Sequence, residues 1–229
     1  MLEIAHTFAP RVAEGLLRLG AVLFRTEEPF RWASGLWAPL YCDNRLLMAD
    51  PELRAFVAEA LAETIRQRYP DVELLAGTAT AGIPHAAWVA DRLRLPMVYV
   101  RPQPKEHGRG RQVEGRLIPG ARTVLIEDLI STGSSSIRAA EALRREKAHM
   151  RGIVAIFSYS LPGTAARLAE AGLSAVALCG LEALLQQARR MGLLSEAQES
   201  LLRDWYRDPE SWSRHYEQIH ESGRSIHRG

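Results

Sequence analysis

The sequence predicts an α/β fold: an open, mostly parallel twisted sheet with helices on both faces, an N-terminal cap and a C-terminal helical extension. Five short runs rich in Val, Ile or Leu recur along the chain without polar alternation, as in strands buried on both faces. Helical patterns lie between these runs, and strand–helix alternation at this spacing indicates βαβ units. The two ends depart from this alternation, and only helical patterns follow residue 181.

The elements follow in chain order. An amphipathic helix is expected over 7–20 and an irregular or short-stranded cap over 30–41. The predicted core strands cover residues 72–76, 97–100, 124–126, 153–157 and 175–179. The predicted core helices cover residues 51–68, 84–93, 135–145 and 164–171. The first of these helices has Asp50 as its predicted N-cap and Pro51 at its first position. The C-terminal helices are expected to restart at residues 208–211 (DPES).

The composition fits one globular domain. The 229 residues are 47% hydrophobic and 24% charged, and this length lies below the roughly 250–300 residues at which a single core stops growing. We expect one domain in three parts: a cap over 1–50, an α/β core over 51–180 with a lid at 102–120, and C-terminal helices over 181–229.

Charge, cysteine content and hydropathy exclude several classes of protein. The 29 basic and 27 acidic side chains give a net charge of +2, without the strong basic excess typical of nucleic-acid-binding domains. The two cysteines, Cys42 and Cys179, cannot build a disulfide framework and are expected to be buried small residues. No apolar run approaches the ~18 residues of a membrane span, and the first residues do not resemble a signal peptide. We therefore expect a cytoplasmic protein without a nucleic-acid or membrane partner.

The strongest functional signal is the segment 124–136, which reads VLIEDLISTGSSS. A buried strand ends in two carboxylates, Glu127 and Asp128, and a hydroxyl- and glycine-rich turn then leads into a helix. Ligands of open α/β sheets bind at the carboxyl ends of strands, and backbone N–H groups at a helix N-terminus can bind a phosphate. Without the acidic pair, this turn would be typical of an ordinary helix cap. The pair suits a ligand that also carries sugar hydroxyls, with a metal nearby.

A long polar segment separates two of the core strands. Residues 101–115 read RPQPKEHGRGRQVEG, and the segment continues to about residue 120. Loops of this length inside a compact domain are typically lids or disordered segments. This one carries Arg101, Lys105 and His107, and Lys105 is one of two lysines among the 29 basic residues. A cationic lid suits a substrate that releases a polyphosphate, whereas a solvated hairpin is the plainer alternative.

The segment 76–84, AGTATAGIP, repeats the order of strand, small-residue turn and helix. An ordinary tight turn would explain it when read alone. Its place after the preceding core strand predicts that it lies beside the phosphate turn, where its N–H groups could bind a second anion.

Together these segments resemble the orotate phosphoribosyltransferases, in the form found in bacteria of the Bacillus type. Segment 124–136 is similar to the ribose-phosphate signature of all type I phosphoribosyltransferases, and the KEHG sequence of the lid narrows the resemblance to the orotate family. The resemblance extends to residues 30–35 (FRWASG), 39–45 (PLYCDNR) and 208–212 (DPESW), and so covers most of the chain. It departs from the enterobacterial form where Ala33 and Ala81 replace lysines, and in lacking a matching arginine near residues 158–162.

The resemblance implies a type I phosphoribosyltransferase fold and a reaction of de novo pyrimidine (UMP) biosynthesis. Orotate and 5-phosphoribosyl 1-diphosphate (PRPP) would give orotidine 5′-monophosphate and pyrophosphate, with Mg²⁺ carried on the diphosphate and few or no metal ligands from the protein. Lys105 and Asp128 are the implied catalytic residues, and Ser131 is implied in orotate binding. The residues implied in PRPP binding are Arg101, Lys105, His107, Glu127, Asp128, Leu129, Ile130, Ser131, Thr132, Gly133, Ser134 and Ser135. Family members work as dimers that share lid residues, so a homodimer with shared active sites is expected.

Two other functions remain open on the sequence. A phosphoribosyltransferase for another base would keep the 127–135 segment but would not need the KEHG lid. A non-catalytic regulator that senses PRPP would keep the phosphate turn after losing catalysis, and the intact cationic lid argues against it.

Overall fold

The computed structural model describes residues 2–32, 34–104 and 111–226. The strands are β1 (Glu3–Ile4), β2 (Val22–Phe24), β3 (Phe30–Arg31), β4 (Trp37–Ala38), β5 (Leu40–Cys42), β6 (Leu74–Thr78), β7 (Met97–Val100), β8 (Val113–Glu114), β9 (Arg122–Ile130), β10 (His149–Ser158) and β11 (Ala175–Gly180). The helices are α1 (Ala9–Arg18), α2 (Pro51–Arg68), α3 (Gly82–Leu93), α4 (Ser134–Arg145), α5 (Thr164–Glu170), α6 (Leu181–Arg190), α7 (Glu196–Arg207) and α8 (Pro209–Ile226), with a 3₁₀ helix at Asn44–Ala49.

The central sheet confirms the predicted fold class. Its strand order is β1-β11-β10-β9-β6-β7-β8, and every pairing is parallel except the antiparallel pair β7–β8. All five predicted core strands belong to it, and β9 and β10 extend to nine and ten residues.

Both faces of the sheet are covered by helices. Alternate residues of β9 enter different hydrophobic clusters: Val124 and Ile126 join a cluster containing residues of α1, α2, α3, α6 and α7. Leu125 joins the second cluster, which contains residues of α4 and α5. This alternation follows from the two-residue period of a strand.

The cap and the helix starts also follow the sequence. The antiparallel pair β3–β4 lies in the predicted short-stranded cap over 30–41, and β5 pairs with β2, which the sequence did not predict. Helix α2 has its predicted bounds, and the Asp50 carboxylate accepts hydrogen bonds from the backbone N–H groups of Glu52 and Leu53 at 3.0 and 2.9 Å.

The segment predicted as a lid, 102–120, contains a strand that the sequence analysis missed. Strand β8 returns antiparallel to β7, with Val113 opposite Val100 and Glu114 opposite Tyr99. Two residues are too few to show the two-residue period of a strand. The sequence pattern therefore could not predict β8. Among the described residues, no helix is long and apolar enough to span a membrane.

Candidate active site

A cavity of about 500 Å³ lies at the carboxyl ends of β6 and β9. Three segments of the chain line it: residues 78–81 after β6, residues between 127 and 135 at the end of β9 and in the following turn, and cap residues between 32 and 45. The parallel pairing of β6 with β9, with Gly77 opposite Ile126, brings the first two segments together. The turn at 79–81 therefore lies beside the 131–135 turn, as the sequence predicts.

The acidic pair at the end of β9 is buried. Glu127 is 3% exposed, and Ser136 Oγ donates a 2.7 Å hydrogen bond to its Oε1. Burial raises the pKa of Glu127 to about 8, with the hydrogen bond from Ser136 opposing the shift. Burial also raises the pKa of Asp128 to about 6, and backbone N–H groups and the Arg45 guanidinium oppose that shift. Glu127 therefore keeps its proton to a higher pH than Asp128 does.

The turn after β9 presents the start of helix α4. Gly133 occupies the N-cap position with φ +82°, and no side chain caps the helix there. Two carbonyls of the turn accept hydrogen bonds from side chains of α5. Thr164 Oγ1 donates to the Ser131 carbonyl at 2.9 Å, and Arg167 Nε donates to the Thr132 carbonyl at 3.2 Å. The uncapped N-terminus suits an anion, because its first N–H groups have no partner within the helix.

The turn after β6 packs closely against the end of β9. A Cβ added to Gly82 would lie 2.7 Å from the Ile126 carbonyl oxygen. Any other residue at position 82 would therefore require a shift of the backbone. The Ala79 N–H donates to the Val100 carbonyl at 2.9 Å, and the Ala79–Thr80 peptide is cis. Glycine at position 82 thus permits the close approach of the two turns.

The cap contributes polar residues to which the sequence analysis gave no role. Asn44 is 1% exposed, and its Nδ2 donates to the backbone carbonyl of Asp128 at 2.6 Å, while its Oδ1 accepts from Cys42 Sγ at 3.3 Å. Arg45 donates to both carboxylate oxygens of Asp43, from Nε at 2.6 Å and from Nη2 at 2.8 Å. The hydrogen bond from Arg45 lowers the pKa of Asp43. The only sequence signal for these residues was their place in the PLYCDNR segment.

An aromatic wall closes the cap side of the cavity. Tyr159, at the end of β10, accepts a 3.0 Å hydrogen bond from the Cys42 N–H at its hydroxyl oxygen. The Tyr159 ring lies 4.6 Å from the ring of Trp32, and both side chains line the cavity. Burial raises the pKa of Tyr159, so the hydroxyl stays neutral. Cys42 and Cys179 are free and buried, as expected.

The predicted site residues fall into four groups. Five of them line the cavity: Glu127, Asp128, Leu129, Ser131 and Ser135. Thr132, Gly133 and Ser134 complete the turn and the first position of α4 without lining the cavity. Lys105 and His107, together with the rest of 105–110 and with Ala33, lie outside the described residues.

The two remaining predicted residues, Ile130 and Arg101, are not among the described residues that line the cavity. The Ile130 side chain is buried in the second hydrophobic cluster, and its carbonyl accepts from the Tyr159 N–H at 3.1 Å and from Ser158 Oγ at 3.3 Å. Arg101 lies at the base of the β7–β8 hairpin, where its Nη1 is 3.6 Å from Glu114 Oε1. The Arg101 side chain is absent from the cavity lining, as far as the described residues define that lining.

Known proteins are similar to this chain in both sequence and fold. The family model described as phosphoribosyl transferase domain matches residues 47–165. The orotate phosphoribosyltransferase of Enterococcus faecalis is 48% identical over 206 residues, which is 90% of this chain and 98% of that protein. That of Bacillus caldolyticus is 49% identical over 201 residues, covering 88% of this chain and 97% of the relative.

Solved structures of proteins with related names have a similar fold. The orotate phosphoribosyltransferase of Aeropyrum pernix superposes with a TM-score of 0.69 at 30% identity, covering 80% of this chain and 99% of that one. The UMP synthase of Leishmania donovani gives a TM-score of 0.75 at 28% identity, over 86% of this chain and 42% of the larger one. With the relatives matched over nine-tenths of its length, this chain belongs to the orotate phosphoribosyltransferases, a branch of the phosphoribosyltransferase family.

Proposed function

We propose that this member of the family transfers the 5-phosphoribosyl group of PRPP to orotate at the cavity between β6, β9 and the cap, forming orotidine 5′-monophosphate for pyrimidine biosynthesis. The observation that supports this best is the meeting of two unlike surfaces in one cavity. The 127–135 segment offers buried carboxyls beside an uncapped helix start, which suits a sugar phosphate. The cap offers aromatic rings and a guanidinium, which suit a planar, anionic base.

On the sugar side, ionised Asp128 accepts hydrogen bonds from the ribose hydroxyls, and Glu127 lies beside it. The N–H groups from Ser131 to Ser135 bind the 5′-phosphate at the start of α4. The turn at 79–81 offers the N–H groups of Thr80 and Ala81 to the diphosphate, since the Ala79 N–H is bonded to the Val100 carbonyl. These assignments give each of the two segments at the strand ends a complementary part of PRPP.

The reaction exchanges groups at the anomeric carbon of the ribose. The bond to the diphosphate oxygen breaks with its electron pair leaving on pyrophosphate. A ring nitrogen of orotate forms the new bond and loses its proton, which passes to pyrophosphate or to solvent. A transition state with oxocarbenium character needs no protein nucleophile. The protein therefore supplies position, exclusion of water and stabilisation of the leaving charge, and we assign the last role to Lys105, Arg101 and His107.

The donor groups of the cavity suit Mg²⁺. Asp128 and the hydroxyls of Ser131 and Ser135 are hard oxygen donors, the class that Mg²⁺ prefers. No group of three or more His, Cys, Asp or Glu that could bind a metal ion occurs among the described residues. An ion carried on the diphosphate would neutralise part of its charge when bound.

On the base side, we assign the orotate carboxylate to Arg45. Among the described residues that line the cavity, Arg45 is the one cationic side chain, and three carboxyls (Asp43, Glu127 and Asp128) share that lining. An anionic base needs a cation there, because the Asp43 and Asp128 carboxylates repel it. The fork to Asp43 uses Nε and Nη2 of Arg45, which fixes the guanidinium plane while Nη1 remains available for a ligand.

Three further properties belong to this proposal. The 229 residues act as one phosphoribosyltransferase domain, since a single hydrophobic cluster draws residues from the cap, the core and the C-terminal helices. The protein works as a homodimer that shares lid residues, as the family does. It acts in the cytoplasm, where two free buried thiols are in keeping with a reducing compartment.

A panel of bases tests the proposal against its main alternative. Purified protein is incubated with PRPP, Mg²⁺ and either orotate, uracil, hypoxanthine or adenine, and the nucleotide products are separated by chromatography. We expect orotidine 5′-monophosphate as the dominant product. Faster conversion of another base would keep the sugar-phosphate assignment and overturn the orotate assignment.

A further inference from the structure

Two segments outside the shared family domain meet behind the base side of the cavity. That domain matches residues 47–165, whereas Trp32 follows β3, and helices α7 and α8 follow residue 195. These two outer segments contact each other across the fold. Their contact has no role in the reaction derived above.

Trp32 is fixed by the short hairpin that carries it. Its N–H donates to the Leu36 carbonyl at 2.8 Å, and its Nε1 donates to the Leu40 carbonyl at 3.1 Å. The hairpin consists of β3 and β4, with Arg31 opposite Trp37. Two-stranded ribbons of this size are marginally stable in isolation, so the position of Trp32 depends on what binds the hairpin from outside.

Helices α7 and α8 bind the hairpin through Trp37. The Trp37 N–H donates to Ser213 Oγ at 3.0 Å and its Nε1 donates to Glu217 Oε1 at 3.2 Å, both on α8. The Trp37 carbonyl accepts from Trp205 Nε1, on α7, at 3.3 Å. Every polar group of Trp37 is therefore bonded to the C-terminal helices, and its ring also lies 5.2 Å from that of Tyr216.

The same helices reach the aromatic wall directly. The Trp205 ring is fully buried and meets Trp32 edge-on at 5.6 Å and Tyr159 at 6.4 Å. The Tyr206 hydroxyl donates to the carbonyl of Ser160, the neighbour of Tyr159, at 2.7 Å. Both aromatic residues of the wall, Trp32 and Tyr159, thus pack against Trp205 of α7.

We infer that α8 positions the base side of the cavity, acting through Trp37 on Trp32, so that Ser213 and Glu217 are positioning residues for orotate binding. This inference rests on the proposed function. It predicts a selective effect, because the phosphate-binding turns are built on β6, β9, α3 and α4 within the core.

The test removes both α8 hydrogen bonds to Trp37 with the double variant Ser213→Ala/Glu217→Ala. We expect the KM for orotate to rise about three- to tenfold, because only part of the free energy of the two lost hydrogen bonds is transmitted to the orotate site. The KM for PRPP and kcat should each change less than about twofold on the same argument. Glu217→Gln keeps an oxygen acceptor for Trp37 Nε1 and should behave as the wild type, although it loses the ion pair with Arg31.

The matched control is Glu210→Ala/Arg214→Ala, a double change at exposed positions of the same helix, which should leave both KM values unchanged. An unchanged KM for orotate in the Ser213/Glu217 variant, or an equal rise in both KM values, would overturn the inference. Should the double variant fail to fold, Glu217→Ala compared with Glu217→Gln decides between the same two outcomes. Absence of orotate turnover in the wild type would instead defeat the proposed function itself.

Discussion

Ser136 Oγ donates a 2.7 Å hydrogen bond to Glu127 Oε1, and this bond joins the first turn of α4 to the acidic end of β9. Both residues are buried. The hydrogen bond connects the Glu127 carboxyl to the start of the helix that follows the phosphate turn. A carboxyl with a pKa of about 8 therefore lines the candidate active site.

Glu127 should make the stability of the protein fall as pH rises. The folded state binds the Glu127 proton up to about pH 8, whereas in the unfolded chain the carboxyl has its ordinary pKa of about 4.5. Between these two values the folded state binds more protons, so the free energy of unfolding decreases with pH. Glu127→Gln cannot ionise, and its Tm relative to the wild type should be higher at pH 8.5 than at pH 5 by at least about 2–4 °C.

Thermal melts at the two pH values check this, with Glu210→Gln as an exposed control. An equal difference in Tm between Glu127→Gln and the wild type at both pH values would contradict the buried, protonated state of Glu127.

Asp128 should set the acidic limb of activity. Its pKa of about 6 means that it becomes protonated below that pH, and a protonated carboxyl is a weaker acceptor for the ribose hydroxyls. We expect kcat/KM for PRPP to fall below about pH 6 and Asp128→Asn to lose about 10²-fold while flattening this limb. Asp204→Asn, at an exposed carboxyl of α7, is the control. An unchanged pH profile in Asp128→Asn would remove Asp128 from this role.

Lys105 is expected to stabilise the departing diphosphate. Lys105→Ala should keep the fold, as measured by its Tm, and lose at least about tenfold in turnover, since one well-placed donor is typically worth more than this. Lys147→Gln, which removes the other lysine of the chain at a position with φ +66°, should keep normal turnover. Wild-type turnover in Lys105→Ala would exclude Lys105 from the mechanism.

Arg45 should distinguish bases by their charge. Arg45→Ala is expected to raise the KM for orotate by about 10- to 100-fold, the range for hydrogen bonds to charged groups. Inhibition by uracil, which has no carboxylate, should not change in that variant. Arg45→Lys keeps the charge but loses the fork to Asp43, so it should recover only part of the affinity. Equal weakening of orotate and uracil would contradict the assignment.

The fold was predictable where the signal is local. Buried strands with continuous apolar runs are readable from sequence, as is α2 with its Asp50 cap. The phosphate turn was readable because its acids, glycine and hydroxyls are contiguous. Strands β1 and β8 have two residues each and carry no period.

The cap side of the cavity was not predictable in the same way, because its contacts join distant parts of the chain. Asn44 meets Asp128 across 84 residues, and Trp37 meets Ser213 across 176. No periodicity or motif reports such pairs. The position of Ile130 shows the converse: a residue inside a functional motif can be a core residue by side chain, since alternate strand positions face opposite sides of the sheet.

The most direct test of the central claim is loss of the orotate ultraviolet band in a mixture of purified protein, orotate, Mg²⁺ and PRPP, with each component omitted in turn. The account predicts loss of the band only in the complete mixture, with one pyrophosphate released for each orotate consumed. Binding of PRPP without consumption of orotate in the complete mixture would contradict it and favour a sensor of PRPP over an enzyme.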